Sequence, residues 1–280
     1  KDNKDISYPT YDKLKAEQDE ELPYLIFSIQ NERGDIVRKL KSPIKKGVQR
    51  VTWDFRYPTC SPIDISAREN DNVFQPNDVG QLVAPGTYTV TLSKYMDGAI
   101  SLLSGPEKFN VKALPGTTLP AASRPALVEW QRKADELKRS IQGANQILND
   151  ANNRVKHIRE ALVVINTNQQ SMVADLKSIE AKLRAISDKM SGDRVASQLD
   201  IDKPPSITSR LFSAIYDGYG TTSDPTTTMK DQLIIAGEEF ATVLGQLKSV
   251  FEQDIKSIEQ KLEAAGAPYT PGRMPDWKKN

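Results

Sequence analysis

The sequence is short of the residues that most reaction chemistry needs. Its 280 residues hold one cysteine, Cys60, and one histidine, His157. A single thiol excludes an intrachain disulfide framework and any multi-cysteine zinc site. A single imidazole excludes a multi-histidine metal centre. No run of about 18 apolar residues is present to span a bilayer, and the first residues, KDNKDISYPTYDKL, are unlike a signal peptide. A start without Met is expected of a mature chain or an excised piece. An excess of one charge is missing too. The 38 Lys and Arg stand against 37 Asp and Glu, so net charge argues for neither a nucleic-acid partner nor an anionic membrane. Only 38% of residues are hydrophobic and mean hydropathy is -0.53, which suits thin or elongated cores. No complete catalytic motif appears, and no cofactor is expected.

What is present falls into two halves with different periods, and the length suits two domains. From Leu22 to about Leu114 the apolar pattern has period two, as in half-buried strands. Leu25, Phe27 and Ile29 alternate, the turn NERGD follows, and DIVRKL reads as a hairpin partner. GVQRVTWDFRY, residues 47–57, reads as a strand with Val51, Trp53, Phe55 and Tyr57 on one face and Asp54 on the other. PGTYTVTLSKY places Tyr88, Val90 and Leu92 inward after a Pro-Gly turn. A further hairpin is expected from AISLL through Gly105 and Pro106 to KFNVKAL.

Residues 113–125, ALPGTTLPAASRP, form a linker, and beyond them the period becomes helical. Leu127, Ala134, Ile141, Leu148, Val155 and Leu162 belong to a seam spaced by threes and fours over about 40 residues. Met172, Leu176, Ile179, Leu183, Ile186 and Met190 repeat it before SGDR breaks the pattern. Ile207, Leu211 and Ile215 mark a short helix after Pro204 and Pro205. A last long helix runs from Leu233 to Leu262, with two successive spacings of four around Phe251 that should locally unwind a supercoil. Helix lengths of about 60 Å for the first and last rods leave the two middle pieces to share one rod. Gly143, Gly237 and Gly245 lie inside these helices and imply close helix approach.

The expected architecture is α+β and multidomain. A lead segment, 1–22, precedes an immunoglobulin-like antiparallel β-sandwich, 23–114, and a linker, 115–125. An elongated antiparallel three-helix bundle with an interrupted middle helix follows, 126–265, then a Pro-rich tail, 266–280, that packs back with Trp277 as its anchor. Three stripes in one chain satisfy each other, so a monomer is expected.

Candidate sites are few. Trp53 reads as core rather than as a ligand platform, and Asp54 lacks the second carboxylate of a glycosidase pair. His157 sits beside the helical seam. Cys60 opens a long connection, and Asp64, Asp71 and Asp78 within it do not match the spacing of a calcium loop. That connection, 58–84, is still the expected binding element of the sandwich. Arg38, Lys39, Lys41, Lys45, Lys46 and Arg50 read as a solvated strand edge. Tyr57, Phe74, Tyr95 and Tyr219 are the aromatics that a contact surface could use.

GVQRVTWDFRY followed by GQLVAPGTYTVTL resembles the G-x-x-x-V-x-W-D … G-x-x-v-x-P-G-x-Y-x-v-x-L pattern of immunoglobulin-like domains similar to that of the flagellar hook-capping protein. Gly47, Trp53, Pro85, Gly86 and Tyr88 carry that resemblance, and Trp277 marks the tail. The order of YPTYDKLKAEQDEE, sandwich, helical region and GAPYTPGRMPDW resembles the C-terminal portion of large bacterial secreted proteins, sortilin-like and BNR-repeat (glycosyl-hydrolase-like). In that family a β-propeller precedes these modules, and its hydrolase label brings no catalytic residue here. The resemblance implies a non-catalytic accessory scaffold or protein-interaction region of a secreted, periplasmic or cell-surface protein. Its partner would be a protein or the upstream propeller of the same polypeptide. The alternative is a glycan-binding or glycan-processing accessory module, and a coiled-coil assembly protein is the third reading.

Overall fold

The computed structural model describes residues 8–63, 65, 79–116, 119–165, 170–216, 221–275 and 277. The chain divides into two units, residues 1–59 with 79–117 and residues 60–78 with 118–280.

In the first unit, helix α1 (Tyr11–Gln18) buries none of its residues. Four antiparallel strands follow: β1 (Tyr24–Gln30), β2 (Ile36–Pro43), β3 (Gly86–Met96) and β4 (Ala99–Val111), in the order β2-β1-β3-β4. The β1–β2 turn forms because Asn31 Oδ1 accepts from the backbone N–H of Arg33 and of Asp35, at 3.0 and 2.9 Å. Asp97 and Gly98, both with positive φ (50° and 77°), close β3 onto β4, the two-residue hairpin signature. β4 is therefore one strand, not the hairpin expected at Gly105 and Pro106. Gly105 (φ 98°) lies where a Cβ would meet Val90 O at 2.7 Å. Its register shift opposite Val90 and Leu92 bends the strand without reversing it.

GVQRVTWDFRY is not a strand either. Asp54 Oδ1 accepts from Arg56 N at 3.1 Å and Phe55 adopts φ 56°, so the Trp-Asp pair opens a turn and the alternation fails. Trp53 and Tyr57 pack against the sheet core of Ile29, Val37, Val83 and Tyr88, while Phe55 stays 48% exposed. The only ladder contact of this stretch among the described residues is the bridge Arg56–Leu82. Around it Tyr57 N donates to Gln81 O and Val83 N to Phe55 O. Gly80 allows this crossing, since a Cβ there would overlap Tyr57 O.

The second unit is an elongated helical region. α2 (Arg124–Val164) starts at the Ser123 cap, whose side chain accepts from Ala126 N, with Pro125 in the first turn. α3 (Gln170–Ser191) buries all six residues of its predicted seam. Gly192 (φ 97°) ends it, α4 (Arg194–Gln198) is capped by Asp193, and α5 (Ile207–Ile215) is capped by Ser206 after the two prolines. The middle rod is thus interrupted where the sequence breaks.

The last rod joins α6 (Thr227–Ser249), a π-helical turn (Val250–Ile255) and α7 (Lys256–Ala264). Its buried face runs Ala236, Phe240, Val243, Leu247, Val250, Ile255, Ile258, Leu262. The step of five from Val250 to Ile255 is what a wider π turn accommodates, and the run of fours in the sequence falls on it. Ion pairs fix directions. Lys182 pairs with Asp254 at 2.7 Å and Lys261 with Asp175 at 2.6 Å, so α3 runs against the last rod, and Arg159 of α2 pairs with Glu180 of α3. Gly237 is the one interior glycine beside another helix, 3.9 Å from Leu137 Cδ2 for an added Cβ. Gly143 and Gly245 have nothing within 4 Å, so close approach does not explain them.

Candidate functional site

Of the predicted markers of the sheet unit, Trp53 and Tyr88 pack against each other. Trp53 meets Phe55, Tyr88 and Phe109 edge-on, with centroids at 5.3, 5.7 and 6.0 Å, and its Nε1 donates to Arg56 O at 3.0 Å. Tyr88 O–H donates to Ala84 O at 2.6 Å, and burial pushes its phenol up to about 12. Pro85 and Gly86 lead into β3 just after that acceptor, where Thr87 N donates to Glu32 Oε1 at 3.0 Å. Gly47 adopts φ 94° in an exposed turn.

Of the four contact aromatics, Tyr57 is not displayed for contact. It packs against the sheet core, and its carbonyl accepts from Arg38 Nη1 at 3.0 Å. Tyr95 lies on the other face of the sheet, stacked on Tyr24 at 4.6 Å, with Lys41 Nζ 3.8 Å from the Tyr24 ring centre. Its hydroxyl donates to Glu21 Oε2 at 2.6 Å, a bond that raises the Tyr95 phenol above its ordinary value. Phe74 and Tyr219 lie outside the described residues, as do Asp64, Asp71 and Asp78.

The single thiol and the single imidazole each lie beside a protein oxygen. The Cys60 thiol lies 3.4 Å from Asp135 Oδ1, and burial followed by the Asp135 charge pushes it up to about 11. His157 Nδ1 lies 2.8 Å from the carbonyl of Asn153 on its own helix. Among the described residues, no group of three or more His, Cys, Asp or Glu side chains converges as a metal site requires. No helix among them is long and apolar enough to cross a membrane.

The densest polar site lies in the helical unit, where residues 266–275 fold back on α2 and α7. Arg273, not Trp277, is the anchor. Trp277 is 79% exposed, whereas Arg273 is buried. Its Nε donates to Glu263 Oε2 at 3.0 Å, Nη1 to Pro268 O at 2.8 Å and Nη2 to Ala267 O at 3.3 Å. A guanidinium delivers several directed bonds at once, which an indole cannot. Arg154, on α2, lies 3.1 Å from Asp150 Oδ2 and 3.6 Å from Glu259 Oε1, with its guanidinium 4.7 Å from the Phe251 ring centre in the π turn. Glu259 is buried, and desolvation raises its carboxyl above the usual value against the pull of Arg154 and Arg273.

The sequence reading missed Arg154, Glu259, Gly272 and Arg273. A signal existed in Glu259, which follows Ile258 on the buried stripe, where an acidic residue needs a cationic partner.

No family model matches this sequence, and neither a curated protein nor a solved structure matches it.

Proposed function

We propose that this chain is a non-catalytic accessory scaffold, a protein-interaction region of a larger secreted or surface protein with a β-propeller. One observation carries this reading: the side chains with reactive potential are committed to holding the fold. Asp54 forms a turn, Trp53 packs on Tyr88, His157 contacts its own helix and the Cys60 thiol is held neutral. The finer fold reading is an immunoglobulin-like sandwich and an antiparallel three-helix bundle. A tyrosine near a strand start whose hydroxyl returns to a carbonyl four residues upstream, as Tyr88 does to Ala84, supports the first. The ion pairs of α3 with its two neighbours support the second.

Amide hydrogen exchange of this chain alone and within the intact longer protein tests the reading. Protection gained over a contiguous patch in the intact protein is expected. Superimposable exchange at every amide would overturn it.

A second reading has one feature in its favour. The stacked Tyr24 and Tyr95 with Lys41 make an aromatic and cationic ledge on the sheet, the kind of surface on which a sugar face packs. A saccharide array probed with the wild type and Tyr95→Ala, with and without calcium, decides it. Binding lost in the variant favours the glycan module, and no binding removes it.

A further inference from the structure

We propose that the helical unit carries a peptide cleft, walled by Arg154, Glu259 and Glu263, which its own C-terminal segment fills and which an arginine-bearing turn of a partner fills in its place. The seated segment shows what chemistry the cleft accepts. It leaves α7 at Gly266 (φ 66°) and presents the run Thr270-Pro271-Gly272-Arg273. Thr270 is enclosed, with Oγ1 making no hydrogen bond. Gly272 (φ 93°) lies against the Arg154 guanidinium, where any side chain would overlap it. Arg273 reaches Glu263 while binding the carbonyls of Ala267 and Pro268, so the seated segment is looped around its own arginine.

Arg154 lies at ion-pair distance from Asp150 and Glu259 and over the Phe251 ring, while its Nε and Glu259 Oε1 make no hydrogen bond. Two carboxylates, Glu259 and Glu263, act on the Arg273 guanidinium. The empty cleft is therefore complementary to a cationic segment. A cavity of about 290 Å³ remains beside the seated residues, bordered by Gln260 and Met274, which gives an incoming chain an entry. The tethered segment competes at high effective concentration, so the wild type is closed and loosening the tail opens it.

This inference takes its biological sense from the interaction reading above, but its test does not depend on hydrogen exchange in the longer protein. A labelled peptide of residues 265–280 is titrated into the full chain and into full-length Arg273→Ala and Gly272→Ala. Each variant disturbs the tail and keeps the wall residues Arg154, Glu259 and Glu263 unchanged. The variants are expected to bind at least about tenfold more tightly than the wild type, and a peptide with alanine in place of Arg273 is expected to lose binding. Three outcomes overturn the proposal: a folded variant that does not bind, equal binding by wild type and variants, or indifference to the peptide's arginine. Loss of a cooperative melt in both variants also overturns it, because the segment would then be core and not an exchangeable occupant. The accessory-scaffold reading survives each of these failures.

Discussion

Gly272 lies so close to the Arg154 guanidinium that a single added methyl group would overlap it. Its φ of 93° independently disfavours any other residue. Gly272→Ala is expected to cost about 1–3 kcal/mol, by thermal or urea melts. In an Arg154→Ala background the overlap is gone, so the cost should shrink to that of the backbone angle. Equal costs in both backgrounds would show that the two residues do not meet.

Interior helical glycines without neighbours predict the opposite sign. Gly143→Ala and Gly245→Ala have open space for the methyl group and should each stabilise the helical unit by about 0.5–1 kcal/mol. A decrease in melting temperature would reveal a packing role at those positions.

Trp53 is the keystone of the aromatic group on the sheet. Trp53→Ala is expected to cost about 3 kcal/mol, the low end for such truncations because the ring is only half-buried. Tyr88→Phe removes only the bond to Ala84 and should cost about 1 kcal/mol. Near-native stability of Trp53→Ala would mean that the irregular segment is not what covers the sheet.

Glu259 gives a pH dependence whose sign follows from its burial. Its carboxyl is raised above 4.5, chiefly by desolvation, so the folded chain holds this proton more tightly than the unfolded chain. Its contribution is therefore most favourable below 4.5 and is lost as pH rises through the raised folded value. The stability of Glu259→Gln relative to the wild type should accordingly improve as pH rises between about 4 and 8. A difference that is flat across that range would contradict the shift.

Cys60 should be slow to alkylate. With its thiol pushed up to about 11 by burial and Asp135, the thiolate that reacts is scarce at neutral pH. Iodoacetamide labelling of the folded chain should lag well behind that of the unfolded chain at pH 7.5. Equal rates would place the thiol in solvent.

Much of the helical unit was legible because one physical rule governs it. Every seam residue predicted for α3 is buried, and the two spacings of four near Phe251 fall on the π turn. The sheet was less legible where a side chain overrides the pattern. In GVQRVTWDFRY the alternation is correct as a string, but the Asp54 side chain captures the Arg56 amide and Phe55 turns left-handed. Apolar periodicity does not encode that capture. The tail shows a different limit. Its folding back was readable from three prolines and two aromatics, but the anchor is Arg273, because burial there is set by a carboxylate on α7. Such pairing depends on tertiary distance, which spacing along the chain does not reveal.

In the accessory role we propose, the chain works by contact and not by chemistry. The most direct test is a glycoside-hydrolysis assay of the purified chain across a panel of substrates, with and without calcium. The account predicts no turnover above the buffer rate. Turnover that a single carboxylate substitution abolishes would contradict it.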